Sequence, residues 1–140
     1  MELFFQFVSH QWYLFGILSM LIAGLLYHES RKAGPQVSPQ QLSRLVNQDN
    51  AVVVDVRPAK EFRGGHIVDA VNLPHDQVAK QIGQMDQYQG RPLVVVCKMG
   101  QHASGVAKQL RAKGFASVYR LQGGIMEWTS SQMPLVKGQS

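Results

Sequence analysis

The sequence predicts an α/β fold: a doubly wound parallel sheet flanked by helices and preceded by one N-terminal transmembrane helix. Three observations predict it. The runs "AVVVDVR" and "RPLVVVC" are β-branched and apolar throughout, as strands buried on both faces of a parallel sheet are. Amphipathic helical stretches lie between these and the shorter runs "AVNLP" and "ASVYRLQGG", and strands alternating with helices imply crossover connections. Residues 4–27, finally, contain no Asp, Glu, Lys or Arg.

That first segment sets the domain organisation: a transmembrane anchor over 1–30, a linker over 31–37 and the α/β domain over 38–140. Its strictly apolar part starts at Trp12, and about 20 residues rising 1.5 Å each cover the roughly 30 Å of a bilayer core. Trp12, Tyr13 and Tyr27 stand near its ends, where amphipathic rings favour the headgroup region. A cleaved signal peptide needs a basic leader and a small-residue cleavage site, whereas Glu2 leads here and "YHESRKAG" follows. A buried core helix is a poor fit to a segment apolar on every face. Arg31, Lys32 and Arg44 follow the segment and no Lys or Arg precedes it, so the positive-inside rule puts the C-terminal domain in the cytoplasm. Pro35 and Pro39 keep the membrane helix from continuing into that domain.

The remaining elements follow in order. Ser38, Pro39 and Gln41 form a capping-box start for a helix over "SPQQLSRLVNQDN", with Leu42, Leu45 and Val46 on its apolar face. After the strand "AVVVDVR", Pro58 opens a short helix that Gly64 and Gly65 end. The strand "AVNLP" leads to a helix over "HDQVAKQIGQM", with Asp76 as its N-cap. "RPLVVVC" is the second buried strand, and "ASGVAKQLRAKG" a helix closed by Gly114. "ASVYRLQGG" is the last strand, and a short helix around "IMEWTSS" carries Met126 and Trp128, both read as core.

Composition narrows the function. A chain of 140 residues, 45% hydrophobic, has room for one globular domain with its own core. The net charge of +5 is scattered singly and not gathered into a basic stripe with aromatics, which argues against nucleic acid. A single cysteine makes no intrachain disulfide, and no Cys/His group has metal-ligand spacing, so neither a disulfide scaffold nor a zinc module is available.

That cysteine, Cys97, ends a central-looking strand and precedes a tight loop opening into a helix, the place where open α/β sheets put their ligand crevices. Sulfur attacks as thiolate, while a free thiol near pKa 8.5 is mostly protonated at neutral pH. The following helix N-terminus, Lys98 and a protonated His102 all favour the anion, and Gly100 lets the backbone curl into an anion nest. An inert core position is the commoner fate of a lone cysteine, and position alone leaves the two readings level.

From Ser38 onward the chain resembles a rhodanese domain. "VVVDVRPAKEFRGGHI" is similar to the family's first signature, with Asp55, Arg57, Glu61, Phe62, Gly65, His66 and Ile67 in place. "AVNLP", the active-site segment "VVVCKMGQHAS" and the closing "LQGGIMEWTSSQMPL" follow in register, and four motifs in order are a specific signal. With its anchor, the chain looks most like the membrane-bound, single-domain bacterial rhodaneses, which implies the bacterial inner membrane. The resemblance implies that Cys97 takes sulfur from a small anionic donor such as thiosulfate, or from a persulfide, and passes it to cyanide or a thiol, small or protein-borne. It implies substrate contacts at Lys98, Met99, Gly100, Gln101, His102 and Ala103, a supporting network at Asp55 and Arg57, and no cofactor.

Typical active members carry arginine five residues after the cysteine and then serine, where this chain has His102 and Ala103. Arginine holds an oxyanion bidentately and is always charged; histidine is charged only when protonated. Lys98 offers a compensating point charge. Phosphatases of this fold need an arginine in the loop, and none occurs between Cys97 and Arg111. The alternative function is a weakly active or inactive docking module for inner-membrane partner proteins. Asp55, Arg57 and Glu61 are expected mainly to support the fold, His66 to bond backbone at its turn, and His75 to be a plain surface residue. Asp69 stands where the family more often has glycine.

Overall fold

The computed structural model describes residues 1–138, so Gln139 and Ser140, the end of the expected domain, lie outside it. The chain divides into two compact units, residues 1–31 and the remainder. In the first, helix α1 (Glu2–His10) is separated at Gln11, with φ −118° and ψ 25°, from α2 (Trp12–Lys32). Residues 12–31 are long and apolar enough to cross a membrane. Large apolar side chains such as Met20, Leu21 and Leu25 are exposed along this helix.

The second unit is built on parallel strands. Among the described residues they are β1 (Gln36–Val37), β2 (Val52–Asp55), β3 (Val71–Asn72), β4 (Leu93–Val96) and β5 (Val118–Leu121), in the order β1-β5-β4-β2-β3. Register pairs Val53 with Val94 and Val54 with Val95, and Val94 with Tyr119 on the other side. Every residue of β2 and β4 is buried, as strands covered on both faces must be.

Alternation along β2 and β4 divides the core into two layers. Val52, Val54, Leu93, Val95 and Cys97 face one side, where α6 (Ala103–Lys113) lays Val106, Ala107 and Leu110 on them. Val53, Val94 and Val96 face the other, against Leu42 of α3 (Pro39–Asp49), Phe62 of α4 (Ala59–Gly64), and Ile125 and Trp128 of α7 (Gly124–Ser130). Helices on both faces make the sheet doubly wound, as expected. α3 starts as its sequence predicts: Gln41 N–H donates to Ser38 Oγ at 3.2 Å, and Ser38 N–H to Gln41 Oε1 at 2.8 Å.

Several local expectations change. The expected helix over 75–85 is a single turn, α5 (Val78–Gln81), running into a 3-10 helix at Ile82–Tyr88. Its N-cap is Gln77, without a side-chain cap bond, so Asp76 does not cap it. Gln36 and Val37, read as the end of a linker, form the edge strand β1 beside β5. Arg120 reinforces that edge by donating from Nε and Nη2 to Gly34 O at 3.3 and 3.0 Å, and partial burial pushes its guanidinium below the ordinary value. Asp69 has φ +63°, a left-handed conformation that glycine adopts freely and aspartate tolerates, which accounts for the family's preference there.

The carboxyl end of β2 is locked by a buried ion pair. Arg57 donates from Nε to Asp55 Oδ1 at 3.0 Å, from Nη2 to Oδ2 at 2.7 Å and from Nη2 to Gly65 O at 2.7 Å. Arg57 and Asp55 are 8% and 1% exposed, so removing one partner leaves the other charge uncompensated in the interior. Arg57→Ala is expected to cost about 3–5 kcal/mol in denaturant unfolding of the full chain. A loss under about 1 kcal/mol, the value of a solvated surface pair, would contradict this account.

Candidate active site

Each parallel strand hands its chain to the next element at one edge of the sheet, and that edge collects the chemistry. Arg57 follows β2, His75 follows β3, Cys97 follows β4 and Gly123 follows β5. From β2 the chain goes outward to β3, then crosses back to β4 on the opposite side of β2, which makes a topological switch point between β2 and β4. A cavity of about 210 Å³ opens there, and Arg57, Glu61, His75, Cys97, Lys98 and His102 are among its lining residues.

Cys97 continues the alternation of β4, so its side chain joins the α6 layer of the core. It is 2% exposed yet lines the cavity, which gives the sulfur a route out of the interior. Gly100 N–H donates to Cys97 Sγ at 2.8 Å. The loop reaches that geometry because Gly100 takes φ +95°, open to glycine and strained for other residues. Lys98, Gln101 and His102 are exposed, Met99 is 48% exposed, and Ala103 is packed into the core as the first residue of α6. The burial of Ala103 among Val106, Ala107 and Cys97 explains a small residue there.

A second element holds the loop from the other side. Ile125 N–H donates to Cys97 O at 2.8 Å, and Met126 N–H to Lys98 O at 3.1 Å, so the start of α7 binds two consecutive carbonyls, that of Cys97 and that of the residue after it. This approach demands a glycine: a Cβ on Gly124, at φ +62°, would collide with Cys97 O and sit 2.7 Å from Lys98 C and O. Nothing in the sequence alone singled out Gly124 beyond its place in the closing motif.

The expected support residues are placed as braces. Asp55 and Arg57 form the ion pair described above, with Arg57 also lining the cavity, and Asn72 Nδ2 donates to Asp55 O and Arg57 O at 3.1 and 2.9 Å. His66 is fully buried and stacked on Phe62 at 3.9 Å, with its N–H and carbonyl paired to Val136. Its Nδ1 lies 2.8 Å from Phe62 O, which only accepts, so Nδ1 carries the hydrogen.

Two features escaped the sequence reading. His75, read as a plain surface residue, is partly buried and stacks on His102 with ring centroids 4.0 Å apart. Met126, read as core, is 52% exposed and lines a groove of about 620 Å³ with Ile125 and Leu135, which shares Arg57, Glu61 and Lys98 with the sulfur cavity.

The close approach at Gly124 is testable. Gly124→Ala is expected to cost about 1–3 kcal/mol and to change the rate at which iodoacetamide alkylates Cys97. Gly83→Ala, with open space at its Cβ, serves as the control. Equal behaviour of the two variants would contradict the role given to Gly124.

Comparison with known proteins agrees with this arrangement. The rhodanese-like domain model matches residues 38–131. The uncharacterized protein YibN of Escherichia coli K12 is 36% identical over 100 residues, covering 71% of this chain and 70% of that protein. Thiosulfate sulfurtransferase GlpE of Shewanella oneidensis is 39% identical over 92 residues, 66% of this chain and 89% of that protein. Among solved structures, a rhodanese-related protein of Thermoplasma volcanium superposes with a TM-score of 0.67 at 20% identity, over 74% of this chain and 99% of that one. The match to the domain model and the identity to these relatives place the chain in the rhodanese-like family.

Proposed function

We propose that the chain is a membrane-tethered sulfurtransferase or persulfide carrier with Cys97 as the covalent sulfur carrier. The observation that carries the reading is the Gly100 N–H donating to Cys97 Sγ at 2.8 Å beside an open cavity. A donor there stabilises negative charge on the sulfur, which both half-reactions require.

In the first half-reaction the Cys97 thiol gives its proton to solvent, and the thiolate attacks the outer sulfur of thiosulfate. A new S–S bond forms to Cys97, the S–S bond of thiosulfate breaks, and sulfite leaves with the electron pair. In the second, cyanide or an acceptor thiolate attacks the terminal sulfur of the Cys97 persulfide. The bond to Sγ breaks, thiocyanate or a new persulfide departs, and the Cys97 thiolate is restored. No external oxidant or reductant is consumed. Lys98 supplies positive charge and His102 an imidazole N–H for the donor, and the loop backbone from Lys98 to Ala103 receives the sulfane group. The identity to thiosulfate sulfurtransferases of the GlpE type supports thiosulfate as a donor.

The tether rests on residues 12–31, whose exposed apolar side chains suit lipid. Arg31, Lys32 and Arg44 after it favour a cytoplasmic domain at a bacterial inner membrane, within reach of membrane protein partners. A second reading, a docking module with weak chemistry, draws on His102 and Ala103 in place of arginine and serine.

Steady-state kinetics separate the two. With thiosulfate and cyanide varied together, the full chain in detergent is expected to form thiocyanate with parallel double-reciprocal lines, and Cys97→Ser to form none. Thiocyanate formation that survives Cys97→Ser, or intersecting lines, contradicts the covalent reading; absence of product from the wild type favours docking.

A further inference from the structure

We propose that His75 is a positioning residue for the anionic donor: stacked on His102 at the mouth of the Cys97 cavity, it fixes the ring that receives the anion. The inference rests on the sulfur-transfer reading only for the choice of thiosulfate as the anion.

The two imidazoles are parallel within 1°, with centroids 4.0 Å apart, and both line the cavity that holds Cys97. They come from different loops, those after β3 and β4, and they differ in how firmly they are held. His75 follows Pro74, whose ring fixes one backbone dihedral, and its N–H donates to Val56 O at 2.9 Å. Val56 N–H in turn donates to Val96 O at 2.9 Å, so His75 stands on the central strands. His102 sits on the exposed loop at the N-cap of α6 and makes no side-chain cap bond. An exposed side chain of this kind loses rotamer freedom when it binds a ligand, and a partner that has already fixed it lowers that cost.

The stack suits this task because of what it leaves open. Face-to-face contact occupies one face of each ring and leaves the edges, where the nitrogens lie, free to donate. A neutral imidazole keeps one N–H and a protonated one two, so His102 meets an oxyanion in either state. An arginine would bring its own planar fork and needs less placement. Arg57 in the same cavity is committed to Asp55 and Gly65 O, which leaves Lys98 as the lining cation that adds charge beside the pair.

The test uses the full chain in detergent micelles carrying Cys97→Ser, which binds without turning over, with sodium thiosulfate as the probe and the Gly100 amide resonance as the readout. His75→Ala is expected to weaken binding about 3- to 10-fold, the size an aromatic stack supplies, and His75→Phe, which keeps a ring there, to stay within about twofold of the parent. His102→Ala is expected to weaken binding as well, and His75→Ala to add nothing on top of it, because one residue acts through the other. The proposal is overturned if His75→Ala binds like the parent, if His75→Phe loses as much as His75→Ala, if the two losses add, or if the parent binds no thiosulfate. Sulfur transfer itself is judged separately, by turnover of the chain with Cys97 intact.

Discussion

Parallel strands cannot be closed by tight hairpins, and that constraint organises the molecule. Each strand must be followed by a crossover, so every strand leaves the sheet at the same edge. Helices then have to cover both faces, which buries β2 and β4 completely and forces their β-branched composition. The consequence for chemistry is convergence: residues 57, 75, 97–102 and 123–124, scattered over much of the chain, meet around one crevice. The reversal of strand order between β2 and β4 opens that crevice beside Cys97.

Precision at the sulfur comes from two backbone approaches. From one side Gly100 turns into a left-handed conformation and aims its N–H at Sγ; from the other, α7 binds the carbonyls of Cys97 and Lys98 through Ile125 and Met126. Both approaches need glycine, at Gly100 for its dihedral and at Gly124 for lack of room. The Asp55–Arg57 pair and Asn72 stiffen the neighbouring strand end, so the wall of the cavity opposite the loop is also fixed. The site is therefore a cradle of main chain with a few exposed side chains, Lys98 and His102 among them, lining its cavity.

Much of this was legible in the sequence where local pattern decides structure. The strands within "AVVVDVR" and "RPLVVVC", formed as Val52–Asp55 and Leu93–Val96, the Ser38–Gln41 capping box and the Gly114 stop all depend on neighbours within a few residues, and they appear where the sequence places them. What pattern did not carry was set by partners distant in sequence. The edge strand Gln36–Val37 is two residues long, too short for any period, and exists because β5 lies beside it. His75 looked like a surface residue because its stacking partner is His102, in another loop. Met126 follows the apolar character of its helix but is left exposed over the groove. The turn at Val78–Gln81 gave way to a 3-10 stretch although the residues there suit a longer helix.

The central claim is that this cradle makes Cys97 a covalent sulfur carrier, and intact mass spectrometry addresses it most directly. The full chain is incubated with thiosulfate, separated from small molecules and weighed. The account predicts that the wild type gains the mass of one sulfur atom and loses it again on addition of cyanide, while Cys97→Ser gains nothing. An unchanged wild-type mass, or an equal gain in Cys97→Ser, would contradict it.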